Sequence, residues 1–93
     1  MVEEIFKNVA EELARAMAHY KPFNSAHEGY AAILEELDEL WDEVKKKPSK
    51  RSKDLMNEEA VQVAAMAIRF VHDVCYSEKD NEVIHADETD KIR

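Results

Sequence analysis

The residues able to do chemistry are concentrated in two acidic runs: Glu35-Glu36-Leu37-Asp38-Glu39 and, twenty residues on, Glu59-Ala60-Val61-Gln62. On a helix, positions three apart lie on adjoining parts of one face, so Glu36 with Glu39, and Glu59 with Gln62, each present two oxygen donors to one region. Clustered carboxylate and amide oxygens suit hard divalent cations such as Mg²⁺ or Mn²⁺. Two carboxylates about 4 Å apart repel by roughly 4 kcal/mol at an effective dielectric near 20, and a divalent ion between them removes that penalty. Against this stands a plainer reading: 37% of the chain is charged, and acidic helical faces are commonly just solvated surface.

Three amphipathic segments must position these acids. From Val2 to Tyr20, Ile5, Phe6, Val9, Leu13, Ala16, Met17 and Tyr20 recur at helical spacing, with Glu3, Lys7, Glu11 and Arg15 opposite. Pro22 disfavours helical geometry in Lys21 and breaks this first helix. Ser25-Ala26-His27-Glu28 has the form of a capping box, so a second helix starts near Ala26, with an apolar stripe of Tyr30, Ile33, Leu34, Leu37, Leu40, Trp41 and Val44. It ends at the Lys45-Lys46-Lys47-Pro48 run, which opens an exposed basic linker to Lys53. A third helix runs from about Asp54 to Tyr76. It is apolar on most of its circumference, through Leu55, Val61, Val63, Ala64, Ala67, Ile68, Phe70, Val71 and Val74, and is expected at the centre of the core. Its narrow polar stripe carries Glu59, Gln62, Arg69 and Asp73, and polar groups on a buried helix need partners. With the short linker placing helices two and three side by side and antiparallel, Glu36 and Glu39 face Glu59 and Gln62.

The fold class that follows is all-α: a small antiparallel bundle of three main helices occupying residues 1–76, completed by oligomerisation, with a polar tail over 77–93. One Gly and two Pro leave few turn residues for a multi-hairpin sheet. A net charge of −8 argues against a nucleic-acid polymer or an anionic membrane as partner. No apolar run approaches the ~18 residues of a membrane span. The acidic start Met1-Val2-Glu3-Glu4 does not read as a signal peptide, and the lone Cys75, among Ile68, Val71 and Val74, reads as a buried thiol in a cytoplasmic protein.

The segment from His27 through Asp73, with EELDE at Glu35 to Glu39 and EEAVQ at Glu58 to Gln62, resembles the MazG-like all-α nucleoside triphosphate pyrophosphohydrolases, whose pattern is EExxE, a spacer and ExxD. The surrounding phrases HEGYAAILEELDELWDEV and EEAVQVAAMAIRFVHDV strengthen the likeness. The resemblance implies cleavage of a nucleoside triphosphate to monophosphate and pyrophosphate, Mg²⁺ (or Mn²⁺) as cofactor, and a homodimer or homotetramer. It implies Glu36, Glu39 and Glu59 as metal ligands, with Glu35 close by as an additional ligand or orienter, and one of Glu35, Glu36 and Glu39 as proton acceptor in catalysis. Gln62 departs from the pattern. It stands where the family has an aspartate, and its amide oxygen can coordinate a hard cation but carries no charge. The alternative is therefore a catalytically weak or inactive nucleotide- or metal-binding module of the same fold. Arg69 and, from the linker, Lys53 are the candidate phosphate contacts, although Asp73 lies one turn from Arg69 as a simpler salt-bridge partner.

Overall fold

The computed structural model describes residues 1–76, all-helical with no strand among them. The expected tail lies outside the described residues. Helix α1 spans Val2–His19, α2 Ala26–Val44 and α3 Lys53–Phe70; α3 continues into a π-helical turn, Val71–Cys75. Among the described residues no helix is long and apolar enough to cross a membrane.

Local chemistry fixes the boundaries. Tyr20 turns extended after α1, just before Pro22. The Ser25 hydroxyl accepts from the Glu28 N–H at 3.1 Å, while the Glu28 carboxylate accepts from the N–H of Asn24, one residue before the position a reciprocal capping box uses. The start of α3 has its own cap, Ser52 Oγ accepting from Leu55 N–H at 3.1 Å, so the helix begins at Lys53. The basic linker is exposed apart from half-buried Ser52, but it is not structureless: Pro48–Lys50 forms a 3₁₀ turn, and Arg51 Nε donates to Val44 O at 2.8 Å. That bond gives a terminal carbonyl of α2 a cationic donor.

Helix α3 is the shared neighbour of α1 and α2, which pack on it more than on each other. Gly29 meets Phe70 at one end of the α2–α3 pair and Glu39 meets Glu59 nearer the other, so these helices are antiparallel. A β-carbon at Gly29 would lie 2.5 Å from Phe70 Cδ2 and 3.1 Å from Phe23 Cδ2, so only glycine permits this approach. Ala16, Phe23, Met66 and Val74 form the buried cluster, with Ala32, Ile33 and Phe70 against it.

Two expectations about burial are overturned. The broad apolar circumference of α3 is not all core: Leu55, Ile68 and Val71 are exposed, and the side turned inward carries Glu59, Gln62, Arg69 and Asp73 beside Ala65, Met66 and Val74. A bundle of three helices covers only the sides of α3 that face α1 and α2, so the third side stays open to solvent. Cys75, on that turn of the chain, is likewise exposed.

The inward polar side is anchored at its C-terminal end. Arg69 Nε pairs with Asp73 Oδ2 at 3.3 Å, and Arg69 Nη2 donates to Lys21 O at 2.6 Å. Asp73 Oδ2 also accepts from Phe23 N–H at 3.1 Å, and the guanidinium lies 4.1 Å from the centroid of the Phe23 ring. One ion pair thus satisfies two backbone groups of the loop between α1 and α2 and orders that loop against α3.

Candidate metal centre

The third-residue spacing on α2 and the antiparallel register of α3 bring Glu36, Glu39 and Glu59 together, with one carboxylate oxygen from each within 4.8 Å of the others. Opposite ligands of a six-coordinate hard cation are separated by roughly 4–5 Å, twice the metal–oxygen distance. Glu36 and Glu59 are half-buried and Glu39 is exposed, so the cluster sits at the rim of the helix interface.

The electrostatics are those of crowded carboxylates. Burial pushes the Glu36 carboxyl above its ordinary value, and the charges of Glu39, Glu59, Glu35 and Glu12 push it further. Glu59 is raised by burial first, then by the charge of Glu39 and by the hydrogen-bonding approach of the Glu39 carboxyl, which favours a shared proton, and then by Glu58 and Glu43. Glu59 Oε1 is fully buried without a hydrogen-bond partner. Its neighbour Glu39 cannot donate to it while ionised. An orphaned, buried carboxylate oxygen beside two further carboxylates is a donor set that fits a divalent cation.

The cluster borders a cleft of about 440 Å³ whose wall includes Glu35, Glu36 and Gln62 together with Arg15, Lys21 and Arg69, and whose lining includes Tyr20 and Phe23. Of the residues singled out in the sequence, Glu36, Glu39 and Glu59 converge, and Glu35 and Gln62 line the adjoining cleft. Arg69 also lines it, but its guanidinium is engaged by Asp73 and Lys21 and it is only 5% exposed. Lys53 stands exposed in the first turn of α3, six residues and about 9 Å along the axis from Glu59, and does not line the cleft.

Two residues of α1 belong to this neighbourhood and were not singled out. Glu12 is close enough to contribute to the Glu36 shift, and it adjoins Gln62. Its own carboxyl is held below the ordinary value chiefly by Arg15, against the effect of burial, with the Gln62 amide adding to the lowering. Arg15 grips it with Nε to Oε1 at 3.1 Å and Nη2 to Oε2. The available signal was Glu12's place three residues after Val9 and four before Ala16, within the inward sector of α1.

No protein-family model, curated protein or solved structure matches this chain.

Proposed function

We propose that this protein is a metal-dependent nucleoside triphosphate pyrophosphohydrolase, with Glu36, Glu39 and Glu59 holding Mg²⁺ or Mn²⁺. The observation that carries this reading is the three-carboxylate cluster with its orphaned Glu59 oxygen, placed at the edge of a cleft that also holds cationic and aromatic side chains. When bound, the cation neutralises phosphate oxygens and lowers the pKa of water.

The chain's own residues supply the rest. Glu36 belongs both to the cluster and to the cleft wall, so it ties the position of the phosphates to that of the carboxylates. Glu35 lines the cleft outside the cluster and is the free carboxylate suited to accept a proton from water. Hydrolysis adds the water oxygen to the α-phosphorus and breaks its bond to the α–β bridging oxygen. That oxygen leaves with pyrophosphate, and the water proton passes to Glu35. Tyr20, which lines the cleft and is exposed, offers apolar surface for the nucleoside. The working form proposed is a homodimer or homotetramer, supported by the exposed α2 stripe of Tyr30, Leu34, Leu37 and Trp41.

A binding module of weak or no activity is the second reading, favoured by the uncharged Gln62 in the cleft wall. A panel of ribo- and deoxynucleoside triphosphates, incubated with Mg²⁺ or Mn²⁺ and resolved for pyrophosphate against orthophosphate, separates the two. Pyrophosphate with monophosphate is the expected result. No turnover, with a metal-dependent rise in Tm on adding nucleotide, selects the module. Neither effect overturns both.

A further inference from the structure

Three cationic side chains line the cleft, and their circumstances differ. Arg69 is buried and fixed by Asp73 Oδ2, Lys21 O and the Phe23 ring. Lys21 belongs to the loop between α1 and α2, where Arg69 holds its carbonyl. Arg15 is different: it is 50% exposed, and its ion-pair partner is Glu12 one turn away. Arg15 lines the cleft together with Glu35, Glu36 and Gln62, and on its other side it shares a second groove with Glu12 and Gln62.

We propose that Arg15 is the phosphate-binding residue of this site, held by Glu12 until a polyphosphate takes its guanidinium, and that Gln62 then keeps Glu12 in place. The inference rests on the metal-site reading above. The Glu12–Arg15 pair is two-pronged, with Glu12 15% exposed, but its arginine side is half open to solvent, so a polyphosphate can reach the guanidinium and exchange one set of paired, charge-assisted hydrogen bonds for another of the same kind. The Gln62 amide is a donor as well as an acceptor and lines the same groove as Glu12, so it can donate to Glu12 once Arg15 has left. An aspartate there would face Glu12 with like charge. Gln62 in this view holds α1 against α3 beside the cluster.

The test uses the whole chain, with Mn²⁺ and inorganic tripolyphosphate as probes in calorimetry. Mn²⁺ alone is titrated first, then tripolyphosphate into Mn²⁺-saturated protein. Arg15→Met, which keeps the aliphatic stem, is expected to leave Mn²⁺ binding intact and weaken tripolyphosphate binding about ten-fold or more, the loss of a hydrogen bond to a charged group. Glu12→Gln releases the guanidinium and is expected to tighten tripolyphosphate binding roughly two- to five-fold, the cost of breaking a partly exposed pair. Lys47→Met, on the exposed linker, removes the same charge and is expected to change little. Should Arg15→Met fail to fold by circular dichroism, Arg15→Lys and the direction of the Glu12→Gln effect decide. Mn²⁺ binding with tripolyphosphate affinity unchanged in the Arg15 variant, or reduced equally by Lys47→Met, overturns the role of Arg15 alone. No Mn²⁺ binding by the parent overturns the metal site and this role with it.

Discussion

Arg69 and Asp73 form an ion pair at 3.3 Å whose side chains are only 7% and 2% exposed, and each partner also bonds the backbone of the loop that joins α1 to α2. Asp73 further accepts from or pairs with His72 Nδ1 at 2.8 Å. The pair is an element of the fold, and it places Tyr20 and Phe23 on the cleft.

Removing one partner of a buried pair leaves the other charge uncompensated. Asp73→Ala is expected to lower stability by about 3–5 kcal/mol, and the double variant Arg69→Met/Asp73→Leu to lose less than Asp73→Ala alone. Urea unfolding followed by circular dichroism measures both. A loss under about 1 kcal/mol for Asp73→Ala would mean that the pair behaves as a surface one.

At Gly29 two effects oppose each other. Alanine is the better helix former by about 1 kcal/mol, but its β-carbon would meet Phe70 at 2.5 Å. Overpacking costs about 1–3 kcal/mol, and at that separation it should exceed the propensity gain. Gly29→Ala is therefore expected to reduce the Tm, and adding Phe70→Leu to restore part of it. An unchanged or higher Tm for Gly29→Ala would contradict the close approach of α2 to α3.

The metal-free protein should also carry a distinctive pH response. Glu36 and Glu59 are raised above 4.5, so they hold protons more tightly folded than unfolded. Their stabilising contribution is fully present below 4.5 and is lost as pH rises through their folded values. Glu12 is lowered and acts in the opposite sense, stabilising above 4.5 and losing that contribution as pH falls through its folded value. Thermal unfolding in a chelator is expected to show stability declining from pH about 4.5 towards about 7, with saturating Mn²⁺ abolishing the decline. A steady rise over that range without metal would contradict the crowding of Glu36 and Glu59.

How far the sequence could be read depended on what each residue needs. Helix boundaries were legible because Ser25, Glu28 and Pro22 act locally, and the convergence of Glu36, Glu39 and Glu59 followed from helical spacing plus an antiparallel pair. Burial was less legible. The stripe of α2 makes Tyr30 and Trp41 core or subunit-interface residues, without saying which; within one chain a single neighbouring helix covers only part of so wide a sector, and Tyr30, Leu34, Leu37 and Trp41 are exposed. The contribution of α1 was missed because Arg15 reaches the cleft, and Glu12 the groove beside it, through tertiary packing, which no spacing rule within α2 and α3 contains. The Arg69 partner Asp73 was visible one turn away, yet the two loop groups they bind lie 48 and 50 residues distant.

The exposed apolar residues lead to an expectation about assembly. Light scattering at micromolar concentration is expected to give at least a dimer, and Trp41→Lys, at a position 58% exposed, to shift the mass towards monomer without loss of helicity. A parent of monomer mass would overturn self-association through this face.

The most direct measurement is a Mn²⁺ titration of the parent against Glu36→Gln and Glu59→Gln, with chelator-treated protein as the starting point. Mn²⁺ is expected to bind the parent and raise its Tm, and each variant to bind at least ten-fold more weakly while its metal-free form is as stable as the parent or more so, since each loses a repelling charge. Equal Mn²⁺ affinity in the parent and both variants would show that Glu36, Glu39 and Glu59 are ordinary surface acids and would contradict a metal centre at this site.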